Sequence, residues 1–227
     1  NSPSQVLAHT QQQVFDGTGT VSFTNGGIVS PGWWGFSSGG TAAANADAYN
    51  ACTASLTATG GAIVIPPTGA AHQVDDTLTH PAKPMSVIGA HPELSIIEST
   101  ATASLKHGLT FTRSHHVRNL TIKTSASLAS NYDMYGVRMD LDGVTVSGGN
   151  QAVKWESVKV RGFNNSFYCD GGDAYNVDRL YFNDLDAQCS GPASTYIGSC
   201  LYINRVTQVY GTHSQFDQNS TGEHAIY

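Results

Sequence analysis

The chain has 227 residues, a formal net charge of −6 and 24 glycines, and only 12% of it is charged. That length suits one domain with a sizeable core, and so low a charge content excludes a disordered polyampholyte and a coiled coil. No Lys/Arg-rich run and no apolar stretch of about 18 residues occurs, so neither nucleic-acid binding nor membrane insertion is expected.

Residues 1–30 read as a lead-in or neck segment. It has no basic start followed by an apolar stretch, so no signal peptide is visible, and a processed precursor stays open. Within it, VFDGTGTVSFTNGGIVS alternates apolar and polar residues around Gly-rich turns, which suggests short strands. After PGWWGF, an Ala-rich stretch predicts a helix over 42–57. Thr41 is its N-cap, Gly60 and Gly61 end it, and Ala44, Ala48, Cys52 and Leu56 form its apolar stripe.

Beyond residue 60 the hydrophobic period changes to two. GGAIVIPPTG reads as a strand stopped by Pro66 and Pro67. Degenerate repeats follow, each of two short strands. HGLTFTR precedes HHVRNLTIKT, YGVRMDL precedes AVKWESVKVRGF, SFYCDGG precedes AYNVDRLYFNDL, and SCLYINR precedes VTQVYGTHSQF. Gly108, Gly136, Phe167 and Cys200 mark the unit starts, 28, 31 and 33 residues apart. One such unit cannot bury its own apolar face, but stacked units can. A β-sandwich competes with this reading, yet it wants tight Asn-Gly hairpins, and the sole Asn-Gly, Asn25-Gly26, precedes the repeats. HAIY begins a further unit with no terminal cap, so the domain is expected to continue beyond residue 227.

The order IVSPGWWGF, Ala-rich helix, GGAIVIPPTG, VDDTLTHPAKPMSVIGAHPELSIIES and then repeated strand pairs resembles the pectate-lyase-like family of right-handed parallel β-helix proteins, of the bacteriophage tailspike and polysaccharide depolymerase type. The resemblance covers about residues 28–227. It implies an all-β solenoid over 31–227 whose N-terminal α-helix caps its open end. The family's Gly-Asp-Gly and Asp-Asp signature before the helix is missing, since that stretch reads SSGGTAAANAD. The resemblance is therefore specific for fold and weak for chemistry.

Strand alternation assigns the faces. Leu109/Phe111, Val137/Met139, Phe167/Cys169 and Leu201/Ile203 point inward. One outward column then reads Thr110, Arg138, Tyr168, Tyr202, and its neighbour reads Thr112, Asp140, Asp170, Asn204. Asp140 and Asp170 fall on neighbouring rungs, near the carboxyl separation of about 5–5.5 Å in retaining glycosidases. Two close carboxylates repel, which lifts one pKa and equips that group as a general acid. Both are expected to face solvent as the candidate catalytic residues. Tyr168 and Tyr202 offer flat surfaces to sugar rings, Arg138 pairs with a substrate carboxylate, and Asn204 completes the candidate binding set. The bland alternative is that these polar side chains only bond to turns, to one another or to Ca²⁺.

In the second strands Asn119, Thr121, Lys123, Lys159, Arg161, Tyr181 and Asn183 are placed outward, with Lys123 and Arg161 as a small basic stripe. His115, His116, His213 and His224 lack metal-ligand spacing, and no cofactor or metal is expected. Trp33 and Trp34 read as packing over the capped end. Cys52, Cys169, Cys189 and Cys200 form no C-x-x-C pair, and free thiols are preferred over a Cys189–Cys200 disulfide. Sequons at Asn119, Asn164 and Asn219 fit chance in a Ser/Thr-rich chain.

The resemblance implies a virion-tail or extracellular protein, assembled as a homotrimer, that binds and depolymerises a bacterial surface polysaccharide by hydrolysis or β-elimination. The alternative is a non-catalytic glycan-binding or structural β-helix of a virion tail or adhesin. A Ca²⁺-dependent pectate lyase is a third reading, but no cluster of Ca²⁺ ligands is readable.

Overall fold

The computed structural model describes residues 8–16, 20–23, 26–57, 60–101, 106–125, 134–141, 151–172, 176–189, 199–218 and 224–226. Their helical content is a 3₁₀ turn at Pro31–Trp34 and one α-helix, α1 (Ala42–Ala54). Thr41 caps α1 as expected, its hydroxyl accepting from the Ala44 amide. Gly60 closes the following turns with φ 75°, its amide donating to the Leu56 carbonyl. The buried stripe differs from expectation. Ala44 is exposed, and Asn45 and Tyr49 are buried with Ala48 and Cys52. Asn45 is inside because its amide is fully used: Oδ1 accepts from the Ser37 amide, and Nδ2 donates to the carbonyls of Ser37 and Gln73.

The rest is β-rich. One sheet holds β1 (Ile28–Val29), β2 (Gly61–Val64), β5 (Met85–Ile88), β8 (His115–Thr124), β10 (Gln151–Arg161), β12 (Val177–Cys189) and β14 (Val206–Thr212), hydrogen-bonded in that order. It also takes β3 (Ala71–Val74) beside β6 (Ile96–Ser99), β6 beside β8, and β15 (Gln215–Gln218) beside β12. The other sheet runs from β4 (Leu78–Thr79) through β7 (Leu109–Phe111), β9 (Tyr135–Asp140), β11 (Asn165–Asp170) and β13 (Ser199–Asn204) to β16 (His224–Ile226). All described strand pairings are parallel, as in β9 against β11 and β8 against β10. From β7 to β14 the chain alternates between the two sheets, returning each time to the next place in the ladder.

The inward pairs of the second sheet lie where alternation puts them. Leu109, Phe111, Val137, Met139, Phe167, Cys169 and Leu201 are buried and in register, and Ile203 is half-buried. Trp33 is buried and Trp34 stacks beside it and against Phe15, so the tryptophan pair packs.

The long strands of the first sheet bend. Asn119, Ser157, Asp184 and His213 have φ of 57°, 49°, 54° and 46°, and the register of β8, β10 and β12 sets the first three side by side. A left-handed residue resets alternation, so the outward assignment of Thr121 fails. It is buried, and its hydroxyl donates to the Pro92 carbonyl. A second correction concerns the thiols. Cys189 and Cys200 form a disulfide with Cα atoms 5.4 Å apart, while Cys52 and Cys169 are free and buried. The Asn219 sequon lies outside the described residues, and Asn164 is fully buried.

Through the core runs a chain of rings. Tyr49 meets His80 edge-on, His80 and His115 stack on opposite faces of Phe111 at 4.0 and 3.9 Å, and Trp155 links His115 to Phe167. Both histidines are held as the same neutral tautomer. Each Nδ1–H donates to a backbone carbonyl, of Thr110 and of Arg113, while each Nε2 accepts, from Tyr49 Oη and from Trp155 Nε1.

Candidate functional site

On the outer face of β7, β9, β11 and β13 the two expected columns are present. Tyr168 is opposite both Arg138 and Tyr202, with Thr110 beyond Arg138, and Asp170 is opposite both Asp140 and Asn204. All six candidate side chains therefore join one continuous network. What they do within it differs from expectation.

Arg138 does not wait for a substrate carboxylate. Its Nη2 donates to Asp140 Oδ2, its Nη1 donates to His107 Nε2 at 3.2 Å, and the guanidinium lies 5.3 Å from the Tyr135 ring and 5.8 Å from that of Tyr168. Burial, and then the neighbouring Arg138 charge, pull the His107 pKa down to about 4. The imidazole is thus neutral near pH 7, and its accepting nitrogen is taken by Arg138.

Asp170 is the main correction. Its side chain is 6% exposed, so it does not face solvent. Tyr168 Oη donates to it at 3.2 Å, the Gly172 amide at 2.9 Å and Asn204 Nδ2 at 3.2 Å to each oxygen, and Arg205 Nη1 is 3.8 Å away. The physical reason is that β11 ends at Asp170 and the chain turns at Gly172, φ 73°, folding donors back over the carboxylate. A carboxylate so enclosed holds the turn and its neighbours and has no open side for a reacting atom. Asp140, 14% exposed, is the more accessible of the two.

The tyrosines do not lie flat toward solvent either. Tyr168 and Tyr202 stack face to face, centroids 4.7 Å apart and planes 5° from parallel, and Tyr135 closes on Tyr168 edge-on at 4.7 Å. Adjacent parallel strands repeat at about 4.8 Å, which is a stacking distance, so like rings on adjacent rungs pair with each other. Tyr168 thus gives one face to Tyr202, and its hydroxyl goes to Asp170. Burial raises its phenol pKa, and the Asp170 and Asp140 charges raise it further. It stays a protonated donor.

His107, Tyr135 and Arg205 belong to the same network and were not expected there. His107 and Arg205 fall just outside strands, and Tyr135 occupies an inward position by alternation, so period two carries no signal for any of them.

On the first sheet the expected basic stripe is neutralised. Lys123 and Arg161 are neighbours in register, but Lys123 Nζ is 3.5 Å from Glu98, and Arg161 pairs with Asp186. A shallow cleft of about 310 Å³ crosses the starts of β5, β8 and β10, lined by Ser86, Ser114, His116 and Lys154 among others. His116 Nε2 lies 2.6 Å and Lys154 Nζ 2.9 Å from the Glu156 carboxylate beside it. Elsewhere on this sheet Tyr181 of β12 and Tyr210 of β14 stack at 5.0 Å. Among the described residues no three His, Cys, Asp or Glu side chains converge as metal ligands, and no helix is long and apolar enough to cross a membrane. No family model, curated protein or solved structure matches the chain.

Proposed function

We propose that the chain forms the capped first coils of a right-handed parallel β-helix, and that the outer ladder of its second sheet binds a bacterial surface polysaccharide. Parallel pairing throughout the described strands and strict alternation between two sheets from β7 to β14 support the fold. So does α1, which packs on β3 and on β4, the terminal strand of the second sheet. The observation that carries the functional reading is the row Arg138, Tyr168, Tyr202 with Asp140 and Asn204 beside it. It is a line of rigid polar rims whose donors and acceptors repeat at the rung spacing. A glycan is held there through its hydroxyl groups.

Depolymerisation is the further part of the proposal and rests on the resemblance. The tailspike type implies a homotrimer in the virion tail or outside the cell, and the Cys189–Cys200 disulfide is in keeping with an oxidising compartment. The non-catalytic reading gains from Asp170, whose enclosure removes one of the two carboxylates on which hydrolysis was based. The test is incubation of the full-length protein with purified capsules, O-antigens and exopolysaccharides. New reducing ends without near-ultraviolet absorbance mark hydrolysis, and unsaturated, absorbing ends mark β-elimination. Retention of a polysaccharide without cleavage identifies the binder, and failure to bind any of them sinks the reading.

A further inference from the structure

We infer that the ladder on β9, β11 and β13 selects a neutral glycan and rejects uronates and other acidic sugars. This deepens, and rests on, the glycan-binding reading above. Charge balance across the ladder sets this preference. An acidic sugar needs a cation whose charge is not already answered. Among the described residues of the ladder each of the two guanidinium groups has a carboxylate beside it. Arg138 is bonded to Asp140, and Arg205 lies 3.8 Å from Asp170. Arg138 also donates from Nη1 to His107 and lies over the rings of Tyr135 and Tyr168, while its Nε is buried without a hydrogen-bond partner.

An incoming carboxylate would therefore have to displace Asp140 from Arg138 or sit beside a like charge, and either costs affinity. The formal charge of −6 on the chain adds long-range repulsion of a polyanion. Hydroxyl groups meet no such penalty. Being neutral, they can meet the polar side chains of the ladder without displacing a carboxylate from either guanidinium. The same balance disfavours β-elimination at this face, which needs a uronate, a cation to neutralise its carboxylate and a base. Tyr168 is a protonated donor committed to Asp170, and the accepting nitrogen of His107 is occupied.

An array of purified bacterial surface polysaccharides, half neutral and half uronate-bearing, tests this with the full-length protein. Neutral glycans should be bound at least about tenfold more tightly, with affinity changing by less than about twofold as salt is raised. Asp140→Asn, which releases Arg138, should move the preference toward uronates. Circular dichroism checks that this variant is folded. Where it is not, the wild-type array decides alone. Preferential or equal binding of acidic glycans overturns the inference and leaves the glycan reading standing. Binding to none removes both.

Discussion

The rings of Tyr168 and Tyr202 lie 4.7 Å apart and within 5° of parallel, on neighbouring strands of the second sheet. Their stack continues through Arg138, and the Tyr168 hydroxyl ties the stack to Asp170. Tyr168→Phe keeps the stack and removes only that donor. It should cost about 1 kcal/mol in urea unfolding, while Tyr168→Ala should cost about 3 kcal/mol or more. Equal losses for the two variants would show that the hydroxyl, not the stack, holds the ladder.

Acid should destabilise the fold through its interior histidines. Burial lowers His80 from 6.5 to about 4 and His115 to about 3. Between those values and about 6.5 the unfolded chain binds protons that the folded chain does not, so stability falls as pH falls. The contribution is complete above pH 6.5 and is lost progressively down to pH 3–4. The buried imidazoles account for on the order of 3 kcal/mol (His80) and 5 kcal/mol (His115). Melting temperature followed from pH 7.5 to 4 should drop steadily below 6.5, and His115→Gln should flatten that slope. A flat wild-type profile would contradict the neutral assignment.

The disulfide closes a loop with a sequence separation of 11. Chain entropy gives about 3 kcal/mol for a loop of this size. Cys200→Ser, or reduction of the native protein, should lower unfolding stability by about that amount. A change below about 0.5 kcal/mol would mean that the loop is already held by other contacts.

The left-handed column makes an opposite pair of predictions. His213, φ 46°, should accept Gly with no loss or a gain of about 1 kcal/mol, because only Gly adopts that backbone freely. Ser157, φ 49°, should not accept Val, which adds β-branching at a left-handed position and deletes the hydroxyl bonded at 2.8 Å to Asp184. A loss of about 2 kcal/mol or more is expected from thermal melts.

These residues also mark where the sequence stopped being legible. Period two was sufficient for the second sheet, whose strands are short and unbroken. Leu109 through Leu201 fall inside, and Arg138, Tyr168, Asp140 and Asp170 share the expected register. The first sheet's longer strands contain left-handed residues at Asn119, Ser157 and Asp184, small polar turn formers that a period-two reading does not register, and alternation across them misplaces Thr121. In the site, register told which side chains are neighbours but not how they bond. Nothing in the spacing of Asp170 indicates that Gly172, Asn204 and Tyr168 all turn their donors onto it. Tyr49 and Asn45 were missed on α1 because their burial depends on His80, Ser37 and Gln73, which are distant in sequence or polar.

On the proposed reading, the Arg138, Tyr168, Tyr202 ladder is the glycan-binding face. Isothermal titration of a polysaccharide that the full-length protein retains, into wild type and Tyr202→Ala, addresses it most directly. Tyr202→Ala should lose at least about tenfold in affinity, with Tyr210→Ala on the first sheet unchanged. Wild-type affinity in Tyr202→Ala, with loss in Tyr210→Ala, would contradict it and move the site to the other sheet.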